Sequence, residues 1–218
     1  MTSSTVPRLA LAVAHGHAIF LDCGGDRYFA LSPAENDALI ALLAGDPIPE
    51  RARRALTAVI GTEASTSTVR AMLAIGHSGG LVRSLTPDTP TPWMVRLAAI
   101  GHLVAAKVML TVHGLHASLD RLANIAVPTI ADGQAPGHRN QIIGAHEWLS
   151  RHVTANDACL LRSLALARHL RSSACAAQLV IAVHADPFSA HCWVQADNHL
   201  LNDDPDHVAS YEPILVVR

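Results

Sequence analysis

An α+β chain built from two units is the fold that this sequence predicts. Three observations carry that expectation: strand-like runs followed by helical ones at the front, a proline- and threonine-dense break at residues 84–92, and a back half in which helices precede strands. The front runs are LALAVAH, AIFLDC and RYFAL, separated by His15-Gly16-His17 and by Gly24-Gly25-Asp26, where glycine supplies positive φ for a tight turn. Ser32-Pro33 then reads as an N-cap with proline at N1. The helix it opens places Ala38, Leu39, Leu42 and Leu43 on one face and stops at Gly45. Two further helices are expected over residues 50–60 and 67–76.

The stretch SLTPDTPTP sustains neither a helix nor an apolar period, so it is the expected boundary. This gives a unit over 1–84, a linker over 85–92 and a second unit over 93–218, each of a size to bury its own core. Residues 93–124 read as one long helix or two, largely buried, and a further helix is expected over 139–152. Then CLLRSLALARHLRSS reads as a helix, and QLVIAVHA and HCWVQAD read as strands joined through Asp186-Pro187. A short HLLND segment follows.

Composition narrows function by exclusion. Of 218 residues, 16% are charged and the formal net charge is -2, which does not fit a phosphate-backbone binder. The apolar stretch 97–115 is interrupted by His102, Lys107 and His113, so it reads as a core helix, with no membrane partner expected. The first twenty residues lack the charged and apolar regions of a secretory signal, and the expected location is the cytoplasm. The four cysteines show no paired short spacing, so neither a disulfide framework nor a zinc cluster is expected. The expected cofactor list is empty.

Chemistry concentrates in the last third. Cys159 follows the candidate caps Thr154, Asn156 and Asp157, which puts it in a first helical turn. Outward N–H groups and the helix dipole there favour a thiolate, and can also hold an oxyanion. His191 lies in a strand, where alternation puts it on one face with Trp193 and Gln195 and leaves Cys192 and Val194 on the other. A carboxylate at Asp203 or Asp204, near the end of the next short strand, is placed to orient that imidazole. The competing reading makes Cys159 a small buried hydrophobe and His191 a satisfied strand histidine.

CLLRSLALARHLR at 159–171 and FSAHCWVQADNHLLND at 188–203 resemble the leader peptidases of lasso-peptide biosynthesis, the B proteins. Their pattern is Cys-Leu-x-Arg-Ser-Leu, then Ala-His-x-Trp-Val, then a short strand ending in Asp. The resemblance implies a transglutaminase-like, papain-related cysteine protease with Cys159 as nucleophile, His191 as base and Asp203, rather than Asp204, as orienting acid. Gln195 and Cys192 depart from that pattern, where an acidic residue and an alanine are common.

IFLDCGGDRYFALSPAENDALIALLAG resembles the peptide-recognition element fused to these peptidases, a winged helix-turn-helix-like module. It implies capture of a precursor's leader peptide as an added strand, with contacts drawn from Tyr28, Phe29, Leu31, Val69 and Leu73. Trp193 is a further candidate substrate contact, beside a packing role. The resemblance also implies a partner, an asparagine-synthetase-like lactam synthetase. Acyl transfer to an amine and a non-catalytic peptide-binding scaffold are the alternative functions.

Overall fold

The computed structural model describes residues 6–76, 83–84, 90–126, 136–152, 158–196 and 198–218. The chain opens with an antiparallel meander of β1 (Leu9–Ala14), β2 (His17–Asp22) and β3 (Arg27–Ala30), in the order β1-β2-β3. His15 and Gly16 form the first turn, both at positive φ (50° and 80°), the geometry whose twist matches a two-residue hairpin. In the second turn the Asp22 carboxylate accepts from the N–H groups of Gly24 and Gly25 at 3.1 and 2.9 Å. A Cβ on Gly25 would sit 2.6 Å from that carboxylate, so a larger residue there would push the Asp22 side chain aside.

Helix α1 (Pro33–Ala44) begins after Ser32, whose N–H and hydroxyl both donate to Glu35 Oε2, and ends at Gly45 in the left-handed region. Helices α2 (Glu50–Ile60) and α3 (Thr66–Gly76) complete the front unit. Leu11, Phe20, Leu39, Leu56 and Val69 form its own core between the helices and one face of the sheet.

The sheet's other face belongs to a larger core. Ala10, Ala12, Ile19, Leu21 and Cys23 pack there with residues of the back unit, so the two units share buried surface across the sheet. A hydrogen bond from the His116 N–H to the Cys23 carbonyl, at 3.1 Å, ties them further. The boundary expected at residues 85–92 lies mostly outside the described residues.

After the short β4 (Arg83–Ser84), α4 (Trp93–Ala123) breaks at Gly114 (φ 75°, ψ -179°), so it is two helices end to end. The expectation that this segment is largely buried is overturned for its first half. Trp93, Met94, Leu97, Ile100, Val104, Val108 and Val112 stand exposed along one stripe, Trp93 at 69%. Ala99, Ala106 and Met109 face inward there, with Val95, Leu103 and Leu110 packed partly buried beside them. By length and composition α4 is long and apolar enough to cross a membrane, and 17% of its most apolar window is buried.

Helix α5 (Pro136–Ser150) and α6 (Cys159–Ser172) pack against α4. A five-stranded sheet follows from β5 (Gln178–His184), β6 (Ser189–Ala196), β7 (His199–Leu200) and β8 (Glu212–Val217), with the one-turn α7 (Pro205–Val208) between the last two. The order β4-β7-β6-β5-β8 centres β6, and β5 and β6 pair antiparallel through the Asp186-Pro187 connection as expected. β8, a short apolar run with no turn signal of its own, pairs with β5 and packs against β1 and α3.

Arg171, 3% exposed, clamps three elements together. Its guanidinium donates to the carbonyls of Ala177, Leu122 and Val217 at 2.8–2.9 Å. Nearby, His146 Nε2 and His169 Nδ1 lie 3.2 Å apart, and His102 stacks on His169 with ring centroids separated by 4.4 Å.

Candidate active site

Cys159 is the first residue of α6, behind an N-cap at Ala158. Thr154, Asn156 and Asp157 lie outside the described residues, and alanine at the cap offers no side-chain acceptor, so the first-turn N–H groups are left for other partners. The thiol takes two of them, accepting from the N–H of Leu160 and of Cys159 itself.

His191 comes from the central strand β6, where alternation sends Trp193 to its side and Cys192 and Val194 into the shared core. Asp203 sits in the bend between β7 and α7, three residues past the strand, rather than at the strand's end. Its Oδ2 pairs with His191 Nε2 at 2.5 Å. Asp204 instead caps α7 by accepting from the Asp206 N–H at 2.9 Å, so of the two adjacent carboxylates only Asp203 meets the imidazole. With Nε2 committed, Nδ1 is the nitrogen left for the thiol hydrogen bond of Cys159.

The electrostatics are those of a thiolate–imidazolium pair. The hydrogen bond to His191 pulls the Cys159 thiol below its ordinary range, outweighing burial, which opposes it. Burial works against a charged His191, but its bonds to Asp203 and Cys159 win and raise it to about 9. Burial likewise opposes the Asp203 anion, yet the two histidines and the Asp204 N–H hold its carboxyl below the usual carboxylate range.

Two residues unforeseen in the sequence complete the site. His207, one turn along α7, donates from Nδ1 to Asp203 Oδ1 at 2.9 Å. Its D-x-x-x-H spacing from Asp203 was the legible signal. Asn202 accepts the Val194 N–H at 2.7 Å and donates to Ser163 Oγ at 2.9 Å, while Ser163 donates to the Cys192 carbonyl at 2.9 Å. That chain fastens the start of α6 to β6 and to the Asp203 bend, so it sets the spacing of Cys159, His191 and Asp203. All face one cleft of about 470 Å³, which Arg162 also lines.

The candidate substrate contacts divide. Phe29, Leu31 and Leu73 pack partly buried against the front core that encloses Val69, whose 0% exposure leaves its side chain a packing role. Trp193 is 3% exposed; its indole N–H donates to Gln195 Oε1 at 3.0 Å, which also accounts for an amide at that departure position. Tyr28 alone of these turns to the opposite face, against the larger core and beside Phe188.

As for metals, the donor atoms of His191, Asp203 and His207 lie within 4.8 Å of one another. All three are already joined through Asp203, which bonds both histidines in the arrangement above.

Comparison with protein families matches the transglutaminase-like superfamily over residues 102–216, more than half of the chain and the whole of the cleft just described. Comparisons with curated proteins and with solved structures gave no match. That superfamily usually holds cysteine hydrolases or acyltransferases, both of which need an activated thiol beside an imidazole. Chain topology, the cysteine at a helix start and the histidine on the adjoining strand agree with that match, and the chain belongs to the transglutaminase-like superfamily.

Proposed function

We propose that the protein is a cytoplasmic leader peptidase: it binds the leader of a ribosomally made lasso-peptide precursor and hydrolyses the leader–core peptide bond with Cys159, His191 and Asp203. The observation that carries the reading is the thiolate–imidazolium–carboxylate line in an open cleft. The Cys159 thiolate attacks the scissile carbonyl carbon, and the carbonyl electron pair moves to oxygen, where first-turn N–H groups of α6 stabilise it. His191 gives its proton to the leaving amine as the C–N bond breaks. Neutral His191 then takes a proton from water, whose oxygen attacks the thioester and releases the leader acid and the thiolate.

The leader part of the reading is supported by the strings around Cys159 and His191 and by β3, whose only ladder partner among the described residues is β2. A peptide added along that open edge joins the sheet by main-chain bonds, and tethering raises its concentration at the cleft. The freed core amine would pass to a lactam synthetase resembling asparagine synthetase. Cys159→Ala is expected to abolish precursor cleavage, by mass spectrometry, while leader binding persists; cleavage that survives the substitution refutes the assignment. Addition of an amine acceptor separates transfer from hydrolysis by product mass.

A further inference from the structure

A second cavity, of about 410 Å³, lies where the front sheet meets the turn between β5 and β6. Ile19, Tyr28 and Ala30 line it from the sheet, and Ala185, Asp186 and Phe188 from the turn. Tyr28 and Phe188 meet there at 5.6 Å between ring centroids, tilted by 58°. Phe188 is nevertheless 53% exposed, a large apolar side chain at the mouth of a concave apolar surface. No step of the proposed chemistry uses it.

Its position relative to the cleft is informative. Phe188 is the last residue of the turn before β6, and two positions on, Ala190 is exposed and lines the cleft that holds Cys159. His191 lies three positions after Phe188, about 10 Å at the rise of an extended chain. From the other side, Tyr28 reaches near enough to Cys159 and Cys192 for their charges to add to the burial that pushes its hydroxyl pKa up. The cavity beside Phe188 therefore lies close to the cleft that Ala190 lines.

We propose that the Tyr28–Phe188 cavity is a specificity pocket that takes one bulky apolar side chain of the peptide substrate, about three to five residues on the amino-terminal side of the cut. The inference rests on the peptidase reading, since it is the leader side of the substrate that would arrive along β3. Leucine-, phenylalanine- or tryptophan-sized groups fit the lining, and the exposed Asp186 at the rim disfavours acidic ones. Filling such a pocket discriminates by about tenfold or more between a large apolar side chain and alanine.

The test uses the full chain and a library of coumarin-amide octapeptides in which one residue, phenylalanine or alanine, is walked through the positions before the reporter. The wild type is expected to favour phenylalanine by about tenfold or more in kcat/KM at one position three to five residues from the cut. Phe188→Ser, which empties the mouth, and Ala30→Trp, which fills the pocket from the sheet, should each bring that ratio to about one. A ratio unchanged in both variants, or no positional preference in the wild type, overturns the pocket. If the wild type hydrolyses no peptide although iodoacetamide labels Cys159, the peptidase reading fails separately. Fluorescence anisotropy of the same peptides on Cys159→Ala then judges the pocket: a phenylalanine preference erased by Phe188→Ser upholds it, and its absence overturns it.

Discussion

Acidification should weaken this fold through the buried histidines between α4, α5 and α6, and the size of the effect follows from their surroundings. Burial, with smaller repulsions from His169 and His102, drives His146 down to about 3; burial, with His102 and His138, drives His169 down to about 4. In the unfolded chain each titrates near 6.5. A depressed folded value means that the unfolded state binds more protons throughout the window from about 6.5 down to about 4. Stability is then full above pH 6.5 and falls as pH drops. The slope is about 1.4 kcal/mol per pH unit for each histidine, so at pH 5 the pair has cost about 4 kcal/mol together. That figure does not depend on whether the folded value is 3 or 4, because both lie below pH 5. Against a typical stability of about 5–15 kcal/mol it is a large fraction. The check is urea unfolding followed by far-ultraviolet circular dichroism at pH 7, 6 and 5, on the wild type and on His146→Leu with His169→Met. Removing both members of the 3.2 Å pair leaves no orphaned partner, and His191 and the carboxylates titrate identically in both proteins. The double variant should lose most of the pH slope; parallel slopes in the two proteins would refute the reasoning.

Other substitutions probe the cleft, the clamp and the stripe. Asp203→Asn should lower kcat by a factor on the order of 10² to 10⁴ and shift alkylation of Cys159 by iodoacetamide to higher pH, because His191 loses the partner that holds it charged; an unmoved alkylation profile would count against the ion pair. The same raised value makes His191 a source of stability that is complete below pH 6.5 and is lost as pH rises toward about 9. Arg171→Met should cost roughly 3 kcal/mol or more in urea unfolding, since three buried carbonyls lose one shared donor. Val104→Asp with Val108→Asp, on the exposed face of α4, should leave unfolding stability within about 1 kcal/mol and raise the solubility limit; a loss of several kcal/mol would show that the stripe is packed.

Local signals read well where the physics is local. Glycine turns, the Ser32-Pro33 helix start, and the alternation around His191 each depend on a few neighbouring residues, and the elements they imply stand where expected. The misread features depend on distant ones. The apolar first half of α4 carries the same composition whether its stripe meets a neighbour or solvent, and only packing against α5 and α6 shows which face is covered. β8 is a short apolar run that gains meaning from pairing with β5, about thirty residues away.

Within the site the division is the same. Sequence alone pointed to Cys159 and His191, because a cysteine at a helix start and a histidine on a strand are legible from their own residue types and immediate context. It left two carboxylates in competition, Asp203 and Asp204, and gave no reason to join His207, Asn202 or Ser163 to them. Tertiary structure decided these, through a bend that turns Asp203 to His191 while Asp204 caps α7, and through the hydrogen bonds that fasten α6 to β6. It also brought Tyr28 of the front sheet against Phe188 of the back unit, 160 positions apart in the chain. Hydrogen-bond direction and the meeting of distant side chains are properties of three-dimensional placement, and no local pattern encodes them.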